Sequence, residues 1–367
     1  MFTIYMAAAL SAGSACHYEG PPRHAPVEFP LSDNPLSGHS ETDGLEQVMA
    51  RAELAFANAA IAVAVSYPGG KVWSRTSGAD DAALFQWASV GKTFTASAVM
   101  QLAEEGALSL EDPISAFVPG VPNGDVATIR DLLGHTAGLP NVQALVALKR
   151  AKRPETLEEE MTLLREAGPL NCPGGDFAYS NSGYAILAKV LERVTGRPWR
   201  EVIAQRTIVP LELDRLIVVD DTGSGRGDKR IVEARPAQGE PLPVDAPGAA
   251  GPIAGTAHDM VRFWRDFLAG KVVSQDSLDL MFEYLHPFPD GDNYYGLGVQ
   301  LFDLDPPGGE SYYLGHLGGM PGINTAVIYS PEEDIVVAVA VSGDAPAAAI
   351  SAQLLRAASG DETTPAS

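Results

Sequence analysis

The stretch FQWASVGKTF, Phe85–Phe94, decides how the chain is read. Ser89 precedes Lys92 by three residues. On an α-helix that spacing puts both side chains on one face, about 5–6 Å apart, where a hydroxyl and an amine can share a proton. Val90, Phe94, Ala98 and Leu102 recur every fourth residue and line one helix face with apolar groups, while Gly106 supplies a C-terminal stop. The spacing predicts a mostly apolar, buried helix with Ser89 in its first turn, at the positive end of the helix dipole. Alone the pair is a weak sign, because the Ser and Lys frequencies of a chain this long give roughly 0.4 accidental Ser-x-x-Lys matches. Its partners must come from elsewhere.

Upstream of that helix, IAVAVSY and KVWSRTSG are β-rich runs separated by Pro68-Gly69-Gly70, which predicts a hairpin. LEQVMARAELA, from Leu45, has helical spacing. From about 110 to 250 the chain reads as helices and Pro- or Gly-punctuated loops. Strand signals return in YYGLGVQLFD, INTAVIYS and DIVVAVAVSG, and PAAAISAQLLRAA closes the chain as a helix. Strands at both ends with helices between predict an α/β (α+β) fold, an antiparallel sheet flanked by helices with a helical domain inserted. The expected division is a signal or lipoprotein segment at 1–16 and a Pro/Ser/Gly-rich linker at 17–44. A sheet domain follows, built from 45–109 and 251–358, with the helical insertion at 110–250 and a polar tail at 359–367.

The chain has 367 residues, 46% of them apolar, and a formal charge of −22. That length can bury a sizeable core. The acidity argues against nucleic acid, whose phosphates need clustered Lys and Arg, and otherwise serves solubility. MFTIYMAAALSAGSAC resembles a secretory signal lacking a basic start, so export to the periplasm or medium is expected. A lipid anchor at Cys16 and a cytoplasmic location stand as alternatives. No later run reaches the roughly 20 apolar residues of a membrane span. Cys16 and Cys172 are the only cysteines, so no disulfide framework is expected. Cys172 reads as a small, partly buried residue before Pro173.

Two further stretches carry polar chemistry. FAYSNSGYAILAKVLE sets Tyr179 and Asn181 ahead of a helix expected to start near Ser182, where a phenol and a carboxamide can face a cleft. YYLGHLGGMPGINTAVIYS places His316-Leu317-Gly318-Gly319 on an edge strand, whose glycines let a backbone approach closely.

With SVGK, YSN and HLG in this order, the sequence resembles the serine hydrolases related to class C β-lactamases and D-Ala-D-Ala carboxypeptidases, a family that also holds D-aminopeptidases and family VIII esterases. TIRDLLGHTAGLP, PGGDFAYSNSGYAILAKVLERVTGRPW, AAGPIAGTAHDMVRF and YGLGV have counterparts there, and the resemblance spans roughly residues 45 to 345. It implies a β-lactamase/transpeptidase-like fold and an acyl-enzyme mechanism without metal or cofactor. Ser89 is then the nucleophile, and Lys92 and Tyr179 form its proton-transfer network, with either one able to act as base. Asn181 holds Lys92 and the substrate amide. The Ser89 and Gly319 N–H groups make the oxyanion hole beside Gly318, and His316 supports Tyr179. The resemblance also implies that the segment around His135 is a structural landmark away from the nucleophile, and neither His135 nor His258 is expected in catalysis.

This chain departs from the family at Leu317 and Gly319, where β-lactamases and carboxypeptidases carry hydroxyls that bind a substrate carboxylate. Each unmade bond costs about 1–3 kcal/mol, so β-lactams and D-Ala-D-Ala peptides are disfavoured as substrates. The expected function is hydrolysis of a small peptide, amide or ester. The alternatives are a family VIII-like carboxylesterase and a penicillin-binding-like protein acylated without efficient turnover. The expected partner is a small molecule or short peptide.

Overall fold

The computed structural model describes residues 42–149, 153–154, 156–219, 228–283, 285–288, 293–302 and 312–360. The expected segment 1–16, most of the linker and most of the polar tail lie outside them. The helices are α1 (Thr42–Ala55), α2 (Lys92–Glu104), α3 (Ile129–Leu133), α4 (Val142–Lys149), α5 (Leu157–Ala167), α6 (Asn181–Thr195), α7 (Trp199–Ile203), α8 (Ala257–Leu268), α9 (Gln275–Glu283) and α10 (Ala347–Ser359). The strands are β1 (Ala60–Ser66), β2 (Val72–Ser77), β3 (Phe85–Gln86), β4 (Leu216–Val218), β5 (Ile253–Gly255), β6 (His286–Pro287), β7 (Asn293–Tyr295), β8 (Gln300–Phe302), β9 (Tyr313–Met320), β10 (Ile323–Ser330) and β11 (Ile335–Ser342). Eight strands form an antiparallel sheet in the order β2-β1-β11-β10-β9-β8-β7-β6, so the sheet draws on both ends of the chain. This bears out the expected fold class. β3, β5 and β4 make a small second sheet, which strands of two or three residues did not announce in the sequence.

The central strands explain the layering. β1 is buried on both faces, and strand alternation divides its side chains by size. Ala60, Ala62 and Ala64 face one core cluster, and Ile61, Val63 and Val65 face the other. β11 divides in the same way: Ala338 and Ala340 lie on the first side, Val337, Val339 and Val341 on the second. α8 packs over the small side, and α10, itself packed on α1, covers the bulky side. A sheet covered on both faces reads in sequence as an unbroken apolar run, as IAVAVSY and DIVVAVAVSG do. No helix among the described residues is long and apolar enough to cross a membrane.

α2 runs through the interior and is buried all round, as a helix apolar on every side must be. Phe94 stacks on Phe263 of α8 with ring centroids 3.6 Å apart. The hydroxyls of α2 are all satisfied: Thr93 donates to Gly298 O, Thr95 to Ala249 O and Ser97 to Thr93 O, each at 2.8 Å. YYGLGVQLFD is two strands rather than one run. The chain turns between β7 and β8 at Gly296–Val299, and Gly298, at φ +81°, sits where a methyl would collide with Ala96 of α2. That contact presses the turn onto the helix that carries Lys92.

Candidate active site

The sheet opens at β9. This strand pairs with β10 along its length, but with β8 only over Tyr313–Gly315, so His316–Met320 has one free edge. The turn Ala88–Gly91, ahead of α2, packs against that strand. Trp87 pins the turn: its N–H donates to Ile253 O at 2.9 Å and its indole to Gly255 O at 3.1 Å, while its carbonyl accepts from Thr325 Oγ1 at 2.9 Å. Ala88 then takes the left-handed φ of 45°, a conformation that costs a non-glycine residue about 1–2 kcal/mol, immediately before the half-buried Ser89.

Gly318 makes the approach possible. A methyl there would clash with Thr325 Oγ1 and lie 2.7 Å from Trp87 O and 3.0 Å from the Ser89 nitrogen. The backbone that glycine admits at this position is the protein's own Ser89 turn. At Gly319 a methyl would meet only Ile323 O, at 4.0 Å, so the space beside it is open. Leu317 N–H donates to Gln300 Oε1 at 2.8 Å, on the side away from β10. Two residues on, Gly319 N–H points the same way, to the edge away from β10.

Lys92 is fully buried and Nζ has three oxygen neighbours: Asn181 Oδ1 at 2.7 Å, Ala250 O at 2.8 Å and Ser89 Oγ at 3.1 Å. Burial holds its pKa well below the usual lysine value, since desolvation penalises the ammonium. Nζ also lies 4.8 Å from the centroid of the Tyr179 ring. The Tyr179 hydroxyl is hydrogen-bonded to Ser89, and burial pushes its pKa upward against that bond. Ser89, Lys92, Tyr179 and Asn181 are therefore one cluster.

Asn181 opens α6, one residue before the expected start. Lys92 fixes its orientation, so Nδ2 faces Gln143 of α4 and donates to Oε1 at 2.7 Å. Ser180, just before it, is anchored by Oγ to Pro140 O at 2.9 Å and by N–H to His135 Nδ1 at 3.2 Å. His135 is thus beside the site: its ring centroid is 4.2 Å from that of Tyr179. This corrects the expectation that its segment lies away from the nucleophile. His258, by contrast, pairs with Asp259 at 3.1 Å and lines a separate cavity with Arg75, Asp81 and Arg215.

His316 is fully buried, and burial with the nearby Lys92 lowers its pKa to about 3. Its ring is neutral. Nδ1 lies 2.6 Å from Leu317 O, which can only accept, so the proton is on Nδ1 and Nε2 accepts from Tyr295 OH at 3.1 Å. These bonds run to Tyr295 and Leu317, not to Tyr179, so His316 is placed behind the cluster and carries no charge with which to support a phenolate. The Tyr184 hydroxyl lies 3.5 Å from that of Tyr295 and donates to Leu133 O at 3.1 Å. Among the described residues, no group of three or more His, Cys, Asp or Glu side chains could hold a metal ion.

Gln143, Gln300, Tyr295 and the Ala250 carbonyl escaped sequence reasoning. AAGPIAG was legible as a landmark, but a main-chain carbonyl has no letter of its own. For Gln143, the apolar helix VQALVALK with one polar residue near its start was the available signal.

The fold and this cluster fit the class of serine hydrolases expected from the sequence. Residues 49–360 match the family model described as Beta-lactamase, and the chain belongs to that family. It is similar to penicillin-binding protein 4 of Amycolatopsis lactamdurans, 29% identical over 71% of this chain and 72% of the relative. It is also similar to the D-alanyl-D-alanine-carboxypeptidase/endopeptidase AmpH of Escherichia coli K12, 26% identical over 70% of each. The putative penicillin-binding protein PbpX of Bacillus subtilis is 28% identical over 67% of this chain, which spans 59% of that relative's length. Among solved structures, the D-amino acid amidase of Ochrobactrum anthropi SV3 superposes with a TM-score of 0.77 at 22% identity, over 88% of this chain and 99% of the amidase. The family, the fold and the hydrolase class expected from the sequence are borne out.

Proposed function

We propose that the protein hydrolyses a small amide or ester whose leaving-group side carries no carboxylate to be bound beside Gly319, with Ser89 as nucleophile and Lys92 as its base. The arrangement around Lys92 Nζ carries this reading. A neutral amine has two N–H groups and one lone pair. The two shorter contacts go to carbonyl oxygens that can only accept, at 2.7 and 2.8 Å, and the third, at 3.1 Å, goes to a hydroxyl that can donate. Two N–H groups spent on Asn181 and Ala250 leave the lone pair for the Ser89 proton. Tyr179, biased toward its neutral form, is the weaker candidate for base.

Attack of Ser89 Oγ on the substrate carbonyl moves its proton to Lys92. The oxyanion meets the Ser89 and Gly319 N–H groups, each such donor contributing on the order of 2.7–4 kcal/mol. As the C–N or C–O bond breaks, Tyr179 passes its proton to the leaving group and regains one from Lys92. Water then attacks the acyl-serine, gives its proton to Lys92, and the acid departs as Ser89 is reprotonated. Asn181 accepts from Lys92 and gives one Nδ2 hydrogen to Gln143, which leaves its second Nδ2 hydrogen for the substrate amide.

The side chains at Leu317 and Gly319 offer no hydroxyl, and Arg235, whose N–H meets Gly322 O beyond the strand, points its guanidinium at Asn58 O and Gly78 O, 3.0 and 3.3 Å away. That supports substrates whose leaving-group side is uncharged over β-lactams and peptides that release a C-terminal amino acid. Amide cleavage ranks above ester cleavage because Tyr179 is placed to protonate an amine, and the relative AmpH is named for peptide cleavage. We further propose export, on the strength of the apolar N-terminal stretch, and the sheet-plus-insertion division given above. The test is turnover of D-amino-acid amides, p-nitrophenyl esters and a penicillin by the wild type and Ser89→Ala. Turnover of the first two with slow or no reaction of penicillin is expected. Efficient penicillin hydrolysis would overturn the carboxylate argument.

A further inference from the structure

His135 combines two unfavourable features in one residue. Its backbone is left-handed, at φ 60°, and its Nε2 is buried without a hydrogen-bond partner, although the residue is only 3% exposed. An apolar side chain would fill the same space without an orphaned polar atom. Strain and unmet polar groups at one position beside an active site are a reason to look for a role. What the residue holds is specific. Its carbonyl accepts from Ala178 N–H at 2.9 Å and its Nδ1 from Ser180 N–H at 3.2 Å. These are alternate amides of an extended segment, on one side of the chain, and Tyr179 lies between them. The imidazole also underlies the phenol, with ring centroids 4.2 Å apart, and is enclosed by Tyr295 at 4.5 Å, Tyr184 at 5.3 Å and Phe177 at 5.9 Å.

We infer that His135 is a positioning residue for Tyr179: its carbonyl and Nδ1 clamp Ala178 and Ser180 so that the phenol stands over its ring with the hydroxyl on Ser89. Because Nδ1 accepts an N–H, the imidazole proton is on Nε2, inside the aromatic enclosure, and the clamp works only with the neutral ring. Burial, with Lys92 and His316 close by, holds the pKa well below the usual histidine value, which keeps that form. The inference rests on the proposed role of Tyr179. A misplacement of about 1 Å in a catalytic group can cost 10²-fold in rate, which sets the size of the expected effect.

His135→Asn keeps an acceptor where Nδ1 stood and suits a left-handed backbone; His135→Ala removes ring and acceptor together. The expected result is a kcat about 100-fold lower for His135→Ala on a p-nitrophenyl ester, with KM within about threefold, and a kcat within about fivefold of wild type for His135→Asn. Hydrogen exchange measured on the peptide covering 177–182 should accelerate in His135→Ala and stay near wild type in His135→Asn. Unchanged kcat in His135→Ala, or equal losses in both folded variants, overturns the inference. Should His135→Ala fail to fold, His135→Gln, whose amide lies one bond further out, takes its place in the same comparison. Tyr179→Phe serves as control. If it turns over like wild type the catalytic reading of Tyr179 fails, whereas unchanged exchange in His135→Ala means the clamp itself fails.

Discussion

Replacing Asn181 by Asp changes one atom's chemistry at the point where the account is most exposed. Asn181 Oδ1 accepts from Lys92 Nζ at 2.7 Å, and in Asn181→Asp that contact becomes an ion pair between a half-buried carboxylate and the fully buried Lys92. An opposite charge at such range raises the pKa of an amine, and close charge pairs move such groups by about 1–3 pH units. Lys92 must lose its proton to act as base, so the direction is fixed. A raised pKa means a smaller neutral fraction at neutral pH, and the acid limb of kcat/KM moves upward by about 1–3 pH units. At a pH well below the new limb, activity falls by about 10- to 1000-fold and recovers as pH rises. Gln143 can turn its amide to donate to the new carboxylate, so the fold should survive. The assay is the kcat/KM–pH profile on a p-nitrophenyl ester whose own hydrolysis is subtracted. A limb that stays put or moves to lower pH would refute Lys92 as the base.

Three other outcomes follow from the geometry. Gly318→Ala forces a methyl against Thr325 Oγ1 and Trp87 O and should destabilise the fold by about 1–3 kcal/mol, read as a lower denaturant midpoint, with slower labelling of Ser89 by a fluorophosphonate. Gly319→Ser enters open space and supplies a hydroxyl for a carboxylate, worth about 1–3 kcal/mol; acylation by penicillin, timed by mass spectrometry, should quicken by about 5- to 150-fold. Stability should fall as pH drops from the ordinary histidine range toward 3. His316, lowered to about 3 when folded, binds its proton only in the unfolded chain across that window, a slope of about 1.4 kcal/mol per pH unit. Urea midpoints against pH measure it, and His316→Gln should flatten the curve.

The residues legible in the sequence are those whose chemistry is both rare and local. The spacing of Ser89 and Lys92 was a weak sign alone, as was the polar pair Tyr179 and Asn181; SVGK, YSN and HLG in one order made them legible. The sheet was legible in IAVAVSY and DIVVAVAVSG, because strands buried on both faces leave no polar letter. What stayed hidden depends on contacts far apart in the chain. Lys92 meets the Ala250 carbonyl across 158 positions, and the pattern of letters at 250 says nothing about where a main-chain oxygen will point. The glycines of HLGG were read as room for a ligand, yet Gly318 makes room for Ser89 itself and only Gly319 faces open space. His135 looked remote because its loop lies 44 positions from Tyr179; two hydrogen bonds close that distance.

Mass spectrometry of the intact protein reacted with a fluorophosphonate, with a p-nitrophenyl ester and with a D-amino-acid amide, alongside Ser89→Ala, tests the central claim most directly. The account predicts a single adduct mapped to Ser89 with the phosphonate, turnover of ester and amide, and the loss of both in the variant. A folded protein with no adduct on Ser89, or turnover that persists in Ser89→Ala, would contradict it.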